Sequence, residues 1–166
     1  MFRAASLAAA GFVLLATLSG CGDSDDDKAA AAVSAGLLKE QGGTFQFTQK
    51  QADCVGDGFV EEIGVDQLKE YGIITEDLKA SDKPIEAKLT GDDAAGAGKV
   101  LVDCVDAAQL FKDAMLSGQD LSQEVESCID DALTDEVLTD FFTATFSEDQ
   151  AAAGEAMAPL QECLAS

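Results

Sequence analysis

Residues 89–105 have the sequence LTGDDAAGAGKVLVDCV, the pattern that decides the fold of this chain. Thr90 precedes two aspartates, where its hydroxyl can cap a helix whose dipole favours acidic residues in the first turn. Small and aliphatic residues then recur every three or four positions and share one helix face: Ala94, Ala97, Leu101, Cys104, Val105 and Ala108. The stretch predicts an amphipathic helix with a cysteine on its apolar face.

The same order of residues occurs three more times in the chain. Each unit contains an apolar residue, a hydroxyl residue, a helical stretch, a cysteine and an aliphatic residue. A shift of 74 residues aligns Cys54 with Cys128, and it aligns three acidic residues, Asp57, Glu61 and Glu62, with Asp131, Asp135 and Glu136. We therefore predict a two-fold internal repeat, with copies at about 44–116 and 117–166.

The helical spacing extends over most of the chain, and no long stretch alternates apolar and polar residues as a strand would. The sequence predicts an all-α domain of about six to eight short helices over residues 44–166. Four hydroxyl residues are expected to cap helices: Thr48, Thr90, Ser122 and Ser147. Three of these have a residue three positions later that completes or approximates a capping box: Gln51, Asp93 and Gln150.

The first residues have the pattern of an export signal. Arg3 supplies a positive charge, a short apolar run follows it, and residues 18–21 have the sequence LSGC. This ending resembles the lipobox of bacterial lipoproteins, whose cysteine receives a diacylglyceryl group and becomes the first residue after cleavage. The resemblance covers residues 1–21 only. It implies a signal peptide at 1–20, a lipid on Cys21 and a location on the extracytoplasmic face of a bacterial membrane in the cell envelope.

The segment that follows, residues 21–43, is predicted to be a linker. Residues 22–27 are polar and acidic and are expected to be disordered, and residues 29–38 predict a weak alanine-rich helix that belongs to the linker. The predicted organisation is therefore a signal peptide, a lipidated linker and one helical domain.

Four cysteines remain if Cys21 carries a lipid, and an even number in an exported chain predicts two disulfides. The two-fold repeat favours one bridge within each copy, Cys54–Cys104 and Cys128–Cys163. The second bridge is also expected across an antiparallel helix pair whose turn lies near Ser147. Pairing between copies, Cys54–Cys128 with Cys104–Cys163, would satisfy the same symmetry and is the second choice. All four cysteines are expected inside the core, because they lie on apolar helix faces.

The net charge and the absence of histidine exclude several functions. There are 32 acidic residues, 10 basic residues and no histidine, for a net charge of −22. A surface with this much negative charge repels phosphate backbones, and we therefore expect no nucleic-acid partner. Catalysis by a Ser-His-Asp or Cys-His group is excluded, because both require histidine.

The aligned acidic residues Asp57, Glu61, Glu62, Asp131, Asp135 and Glu136 are weak candidates for a divalent-cation site. Like charges four residues apart on a helix repel one another, and a bound cation would relieve this repulsion. Carboxylate oxygens are ligands that suit Ca²⁺ or Mg²⁺. No calcium-loop motif contains them, however, and we expect them to form a solvated surface without tight metal binding. No cofactor is expected.

The expected function is non-enzymatic. Carboxylate pairs are too common in this chain to indicate an active site, and no catalytic constellation is present. Phe141, Phe142 and Phe146 form the densest aromatic group, which is expected to lie in the core rather than on an exposed binding surface. We therefore expect a lipid-anchored binding or structural module, with the membrane and an envelope protein as partners. The alternative is a cation-binding or carboxylate-dependent hydrolytic envelope protein.

Overall fold

The computed structural model describes residues 24–39, 46–82, 88–116 and 121–165, with only the backbone at 114–116. These ranges contain nine helices and no strand, which confirms the all-α prediction. Eight of the nine helices begin after residue 44. The helices are α1 (Asp25–Lys39), α2 (Gln49–Glu62), α3 (Val65–Glu70), α4 (Gly91–Cys104), α5 (Ala107–Leu116), α6 (Gln123–Ala132), α7 (Asp135–Phe146), α8 (Gln150–Ala156) and α9 (Ala158–Ala165).

The helices pack as two pairs around one core. Helix α1 lies along α2, and α4 lies along α7, while contacts between α2 and α4 join the pairs. Helix α8 packs on α7, and α9 packs on α6. The most deeply buried large side chains come from α2, α3, α6 and α7 and from the connection between α3 and α4: Val55, Leu68, Ile74, Leu89, Ile129 and Leu138. In the described ranges, no helix is both long and apolar enough to cross a membrane.

Helix α1 lies within the predicted linker, residues 21–43, and corrects that prediction for residues 25–39. Ser24 accepts a hydrogen bond from the Asp27 N–H (3.1 Å), and the Asp27 carboxylate accepts one from the Ser24 N–H (3.0 Å). The acidic run is thus a capped first turn at residues 24–27, where the helix dipole favours its charge. Ala29 and Val33 are buried in the core. The alanines, from which the sequence predicted only a weak helix, have small side chains that allow α1 to approach α2 closely.

A glycine makes the contact between α1 and α2. A Cβ at Gly56 would overlap the carbonyl oxygen of Ala30, so only glycine allows these backbones to approach so closely. The buried Ser34 hydroxyl of α1 donates to the Asp53 carboxylate of α2 at 2.6 Å, and Gln49 donates to the same oxygen at 2.7 Å. Apolar packing and a satisfied polar contact therefore both hold α1 to α2.

A second glycine lies where α4 meets α7. A Cβ at Gly98 would lie 2.7 Å from the Thr143 hydroxyl oxygen and 3.0 Å from the Thr139 carbonyl oxygen. The Leu89 N–H donates to the Phe146 carbonyl at 2.9 Å, which joins the start of α4 to the end of α7. These contacts fix Phe146 against the first half of the domain.

Two of the four predicted caps are confirmed. Thr48 and Gln51 form a complete capping box at α2. Ser122 caps α6 by accepting from the Val125 N–H, without a reciprocal partner, as its sequence predicted.

The other two caps are wrong, because their side chains bond elsewhere. Thr90 precedes α4, but its hydroxyl makes no cap and lies 3.2 Å from the Tyr71 hydroxyl. Ser147 ends α7, where its hydroxyl donates back to the Thr143 carbonyl at 2.8 Å. Asp149 caps α8 instead, by accepting from the Ala152 N–H. An aspartate in the same short loop was the sequence signal for this cap.

The structure joins Cys54 to Cys104 and Cys128 to Cys163, which confirms the pairing within each copy. The geometric reason for the second bridge was wrong. It joins α6 to α9, with α7 and α8 between them in the chain, and not the two arms of one hairpin. The expectation that every cysteine lies inside the core was also wrong, because Cys54 is exposed.

The internal repeat remains a prediction. Helices α2 and α6 carry the aligned cysteines, but α4 corresponds to two shorter helices, α8 and α9. The division falls just before Pro159, which lacks the N–H that a continuous helix would need. Helix α1 lies outside both predicted copies.

Candidate functional site

An apolar cavity of about 200 Å³ lies between the two helix pairs. Five helices, the segment before α2 and the segment after α3 contribute to its walls. Its lining consists of Leu37, Phe47, Phe59, Ile73, Leu101, Val105, Leu110, Phe142, Thr145 and Phe146. We call this space the apolar cavity.

Aromatic contacts shape one side of the apolar cavity. The rings of Phe59 and Phe146 meet edge to face, with centroids 6.2 Å apart. Phe142 is buried, and its ring lies 5.5 Å from that of Phe141, which packs in turn on Phe111. The expectation that this aromatic group belongs to the core is confirmed for Phe142, while Phe141 and Phe146 are half-buried and pack against the core.

The inner wall and the rim of the apolar cavity differ in exposure. Phe59, Ile73 and Phe142 are buried. Five other lining residues are half-buried and form a rim that opens to solvent: Leu37, Phe47, Leu101, Leu110 and Phe146. A small molecule could therefore enter without separation of the two helix pairs.

Thr145 brings the one polar side chain to the lining, and its hydroxyl is already used. It donates to the Phe141 carbonyl of its own helix at 2.8 Å. A bound molecule would thus find no lining side chain with a free hydrogen-bond donor, and an unpaired polar group is costly to bury. The walls favour a molecule that binds by shape and apolar contact.

Sequence reasoning identified only part of this site. The aromatic group in α7 was found from its density, but the other lining residues are widely separated along the chain. Phe47 and Leu110, for example, are ordinary apolar residues whose spacing indicates a helix face or a core position. No local signal could show that they share one space.

A separate acidic groove lies at the other end of α1. It is lined by the first turn of α1, the end of α2 and the start of α3. Its charged residues are Asp25, Asp26, Asp27, Asp57, Glu61, Asp66 and Lys69. Lys69 lies 3.9 Å from Asp66. Hydrogen bonds from the Ser24 N–H and hydroxyl hold the pKa of Asp27 below its usual value.

The structure does not bring the six acidic candidates together. Asp57 and Glu61 line the acidic groove, while Glu62 is exposed and packs against Gly96 of α4. The second set is exposed and divided between two helices, with Asp131 on α6 and both Asp135 and Glu136 on α7. Among the described residues, no group of three His, Cys, Asp or Glu side chains could hold a metal ion.

Cys21, the predicted lipidation site, lies outside the described residues. No family model, no curated protein and no solved structure matches this chain. The proposed function therefore rests on the chain's own residues. The disulfides indicate an oxidising, extracytoplasmic compartment.

Proposed function

We propose that this protein is a bacterial envelope lipoprotein, anchored through Cys21, whose domain binds a small apolar molecule without transforming it. The apolar cavity is the observation that carries the binding function. The lipobox-like ending of the signal supports the anchor. The two disulfides support an extracytoplasmic location.

The size of the apolar cavity limits the ligand. Its volume of about 200 Å³ is smaller than most pockets for drug-sized ligands, yet a dry apolar cavity of about 150 Å³ is enough to bind benzene. Its walls offer no free hydrogen-bond donor from a side chain. The proposed ligand is therefore a neutral hydrocarbon-like molecule, such as a single aromatic ring or a short alkyl chain.

No observation favours the hydrolytic or cation-binding alternative. The acidic candidates are exposed, and within the described ranges they form no metal-type group. The net charge also disfavours an anionic ligand, because the surface repels it at long range.

Toluene binding tests the proposed function. The chain from residue 22 to 166, exported with a cleavable signal, contains every described helix and both bridges. We expect toluene to bind saturably, to raise the melting temperature and to shift the methyl resonances of Leu101 and Val105 in NMR spectra. The absence of saturable binding would contradict the proposed function.

A pair of phenylalanine substitutions locates the binding. Leu101→Phe adds volume inside the apolar cavity and should abolish toluene binding in a folded protein. Leu164→Phe is the matched control, because Leu164 is exposed and lies outside the cavity. If Leu101→Phe fails to fold, Leu110→Phe replaces it. Toluene binding that survives in a folded cavity variant would place the site elsewhere.

The anchor is tested by mass spectrometry of the protein from a bacterial envelope. We expect a chain that begins at an acylated Cys21, and Cys21→Ala should leave the protein unlipidated. An unmodified cysteine in the wild-type chain would contradict the anchor but not toluene binding.

A further inference from the structure

We infer that the acidic end of the domain faces the membrane at close range, so that the far end of α1, with the Leu37 part of the cavity rim, is directed away from the lipid. This inference rests on the proposed anchor at Cys21. It adds an orientation, which the lipobox alone does not imply.

The tether between the anchor and the fold is very short. Ser24, the cap of α1, follows Cys21 by three residues. Consecutive Cα atoms are about 3.8 Å apart, so these two Cα atoms are separated by at most about 11 Å. A linker of the predicted length, residues 21–43, would have left the domain free to tumble.

Helix α1 transmits this constraint to the whole domain. The hydrogen bonds between Ser24 and Asp27 hold its first turn, and Ala29 is completely buried one turn later. Gly56 of α2 lies directly against Ala30. Because α1 is packed into the core from its first turns, its start cannot move far without the rest of the fold.

The surface around this end is the acidic groove. Asp57 and Glu61 of α2 and Asp66 of α3 line it together with the first turn of α1. At physiological ionic strength the Debye length is about 8 Å, which is comparable to the reach of the tether. These carboxylates therefore repel anionic headgroups, and the domain stands off an anionic bilayer within the limit of its tether.

The other end of α1 lies far from the anchor. Lys39 follows Ser24 by fifteen residues, or about 22 Å along the helix axis at 1.5 Å per residue. Leu37, a rim residue of the apolar cavity, lies at this end. This part of the rim therefore lies on the side of the domain away from the bilayer.

Single tryptophans test the orientation, because the chain contains no tryptophan. Asp66→Trp marks the acidic groove, and Asp82→Trp marks the far end, where Asp82 lies 3.4 Å from Lys39. Both aspartates have highly exposed side chains, and both substitutions change the charge equally. The lipidated variants are placed on phosphatidylcholine vesicles in which some lipids carry a spin label on the headgroup.

We expect the label to quench Asp66→Trp several-fold more strongly than Asp82→Trp. A flexible Gly/Ser insertion of about twenty residues after Gly22 should remove this difference. Equal quenching in the uninserted protein, or stronger quenching of Asp82→Trp, would overturn the orientation. If Asp66→Trp fails to fold, Glu61→Trp marks the same groove.

The vesicle experiment distinguishes this inference from the anchor. A lipidated protein that floats with the vesicles but shows no quenching difference contradicts the orientation alone. A protein without lipid that does not float contradicts the anchor, and the orientation fails with it.

Discussion

The first and second halves of the domain each contain one disulfide, but different interactions hold them together. In the first half, α1 and α2 pack through Gly56, and the bridge from Cys54 to Cys104 has an exposed cysteine. In the second half, α9 packs mainly on α6, and their bridge includes Cys163, which is only 2% exposed. Close packing of two helices is therefore the main interaction in the first half, and a bridge with a buried cysteine is the main interaction in the second.

The two bridges differ in how they stabilise the fold, because a disulfide acts both through loop-closure entropy and through the core volume that its cysteines fill. The bridges close loops of similar length, with sequence separations of 50 and 35 residues. Loop-closure entropy alone gives each about 4 kcal/mol, so it does not distinguish them. The buried cysteine also fills core volume, and its removal leaves a cavity that the exposed bridge would not leave.

The largest expected effect is the loss of the buried bridge. Cys128→Ala with Cys163→Ala should lower the free energy of unfolding by about 5 kcal/mol, through loop entropy and a core cavity. Cys54→Ala with Cys104→Ala is the matched control and should lower it by about 4 kcal/mol, the loop-entropy contribution alone. Urea unfolding followed by circular dichroism measures both. An equal or larger loss from the exposed bridge would contradict the comparison.

A smaller effect is expected from the packing of the first half. Gly56→Ala should lower the stability by about 2 kcal/mol, because its Cβ would push α1 away from α2. Gly154→Ala in α8 is the control, since a Cβ there meets no other atom within 4 Å. This control should raise the stability by up to about 1 kcal/mol through helix propensity. An unchanged or raised stability of Gly56→Ala in thermal unfolding would show that Gly56 is not needed for the close contact.

The smallest effect is expected at the helix caps. Ser24→Ala should lower the melting temperature by about 3 °C, since a cap contributes about 1 kcal/mol. Ser122→Ala in the second half should lower it less, because that cap has no reciprocal partner. An equal shift in both variants would contradict the extra contribution from Asp27.

The pH dependence of the Ser24 cap follows from the lowered pKa of Asp27. A carboxylate whose pKa is lower in the folded state stabilises the fold above its unfolded pKa of about 3.9. This contribution is lost as the pH falls through the lower folded value. The difference between wild type and Ser24→Ala should therefore shrink below about pH 4, as melting curves over a pH series would show.

The site was less predictable than the fold, and the predictions about the fold itself held only in part. The pairing of Cys128 with Cys163 followed from the repeated order of residues, although the predicted hairpin between them was wrong. The caps at Thr48 and Ser122 followed from residues three positions apart. The caps at Thr90 and Ser147 failed, because a distant Tyr71 and a backbone carbonyl were the better partners.

The sequence by itself determined the helical class, the acidic charge and the absence of histidine chemistry. These follow from composition and from interactions within one or two helical turns. Only the tertiary structure decided that α1 belongs to the core, that Cys54 is exposed and that Phe47, Leu110 and Phe142 line one cavity. Each depends on which helix faces lie against one another. An apolar residue has the same pattern along the chain whichever partner it meets, so its neighbours in space are set only when the helices pack.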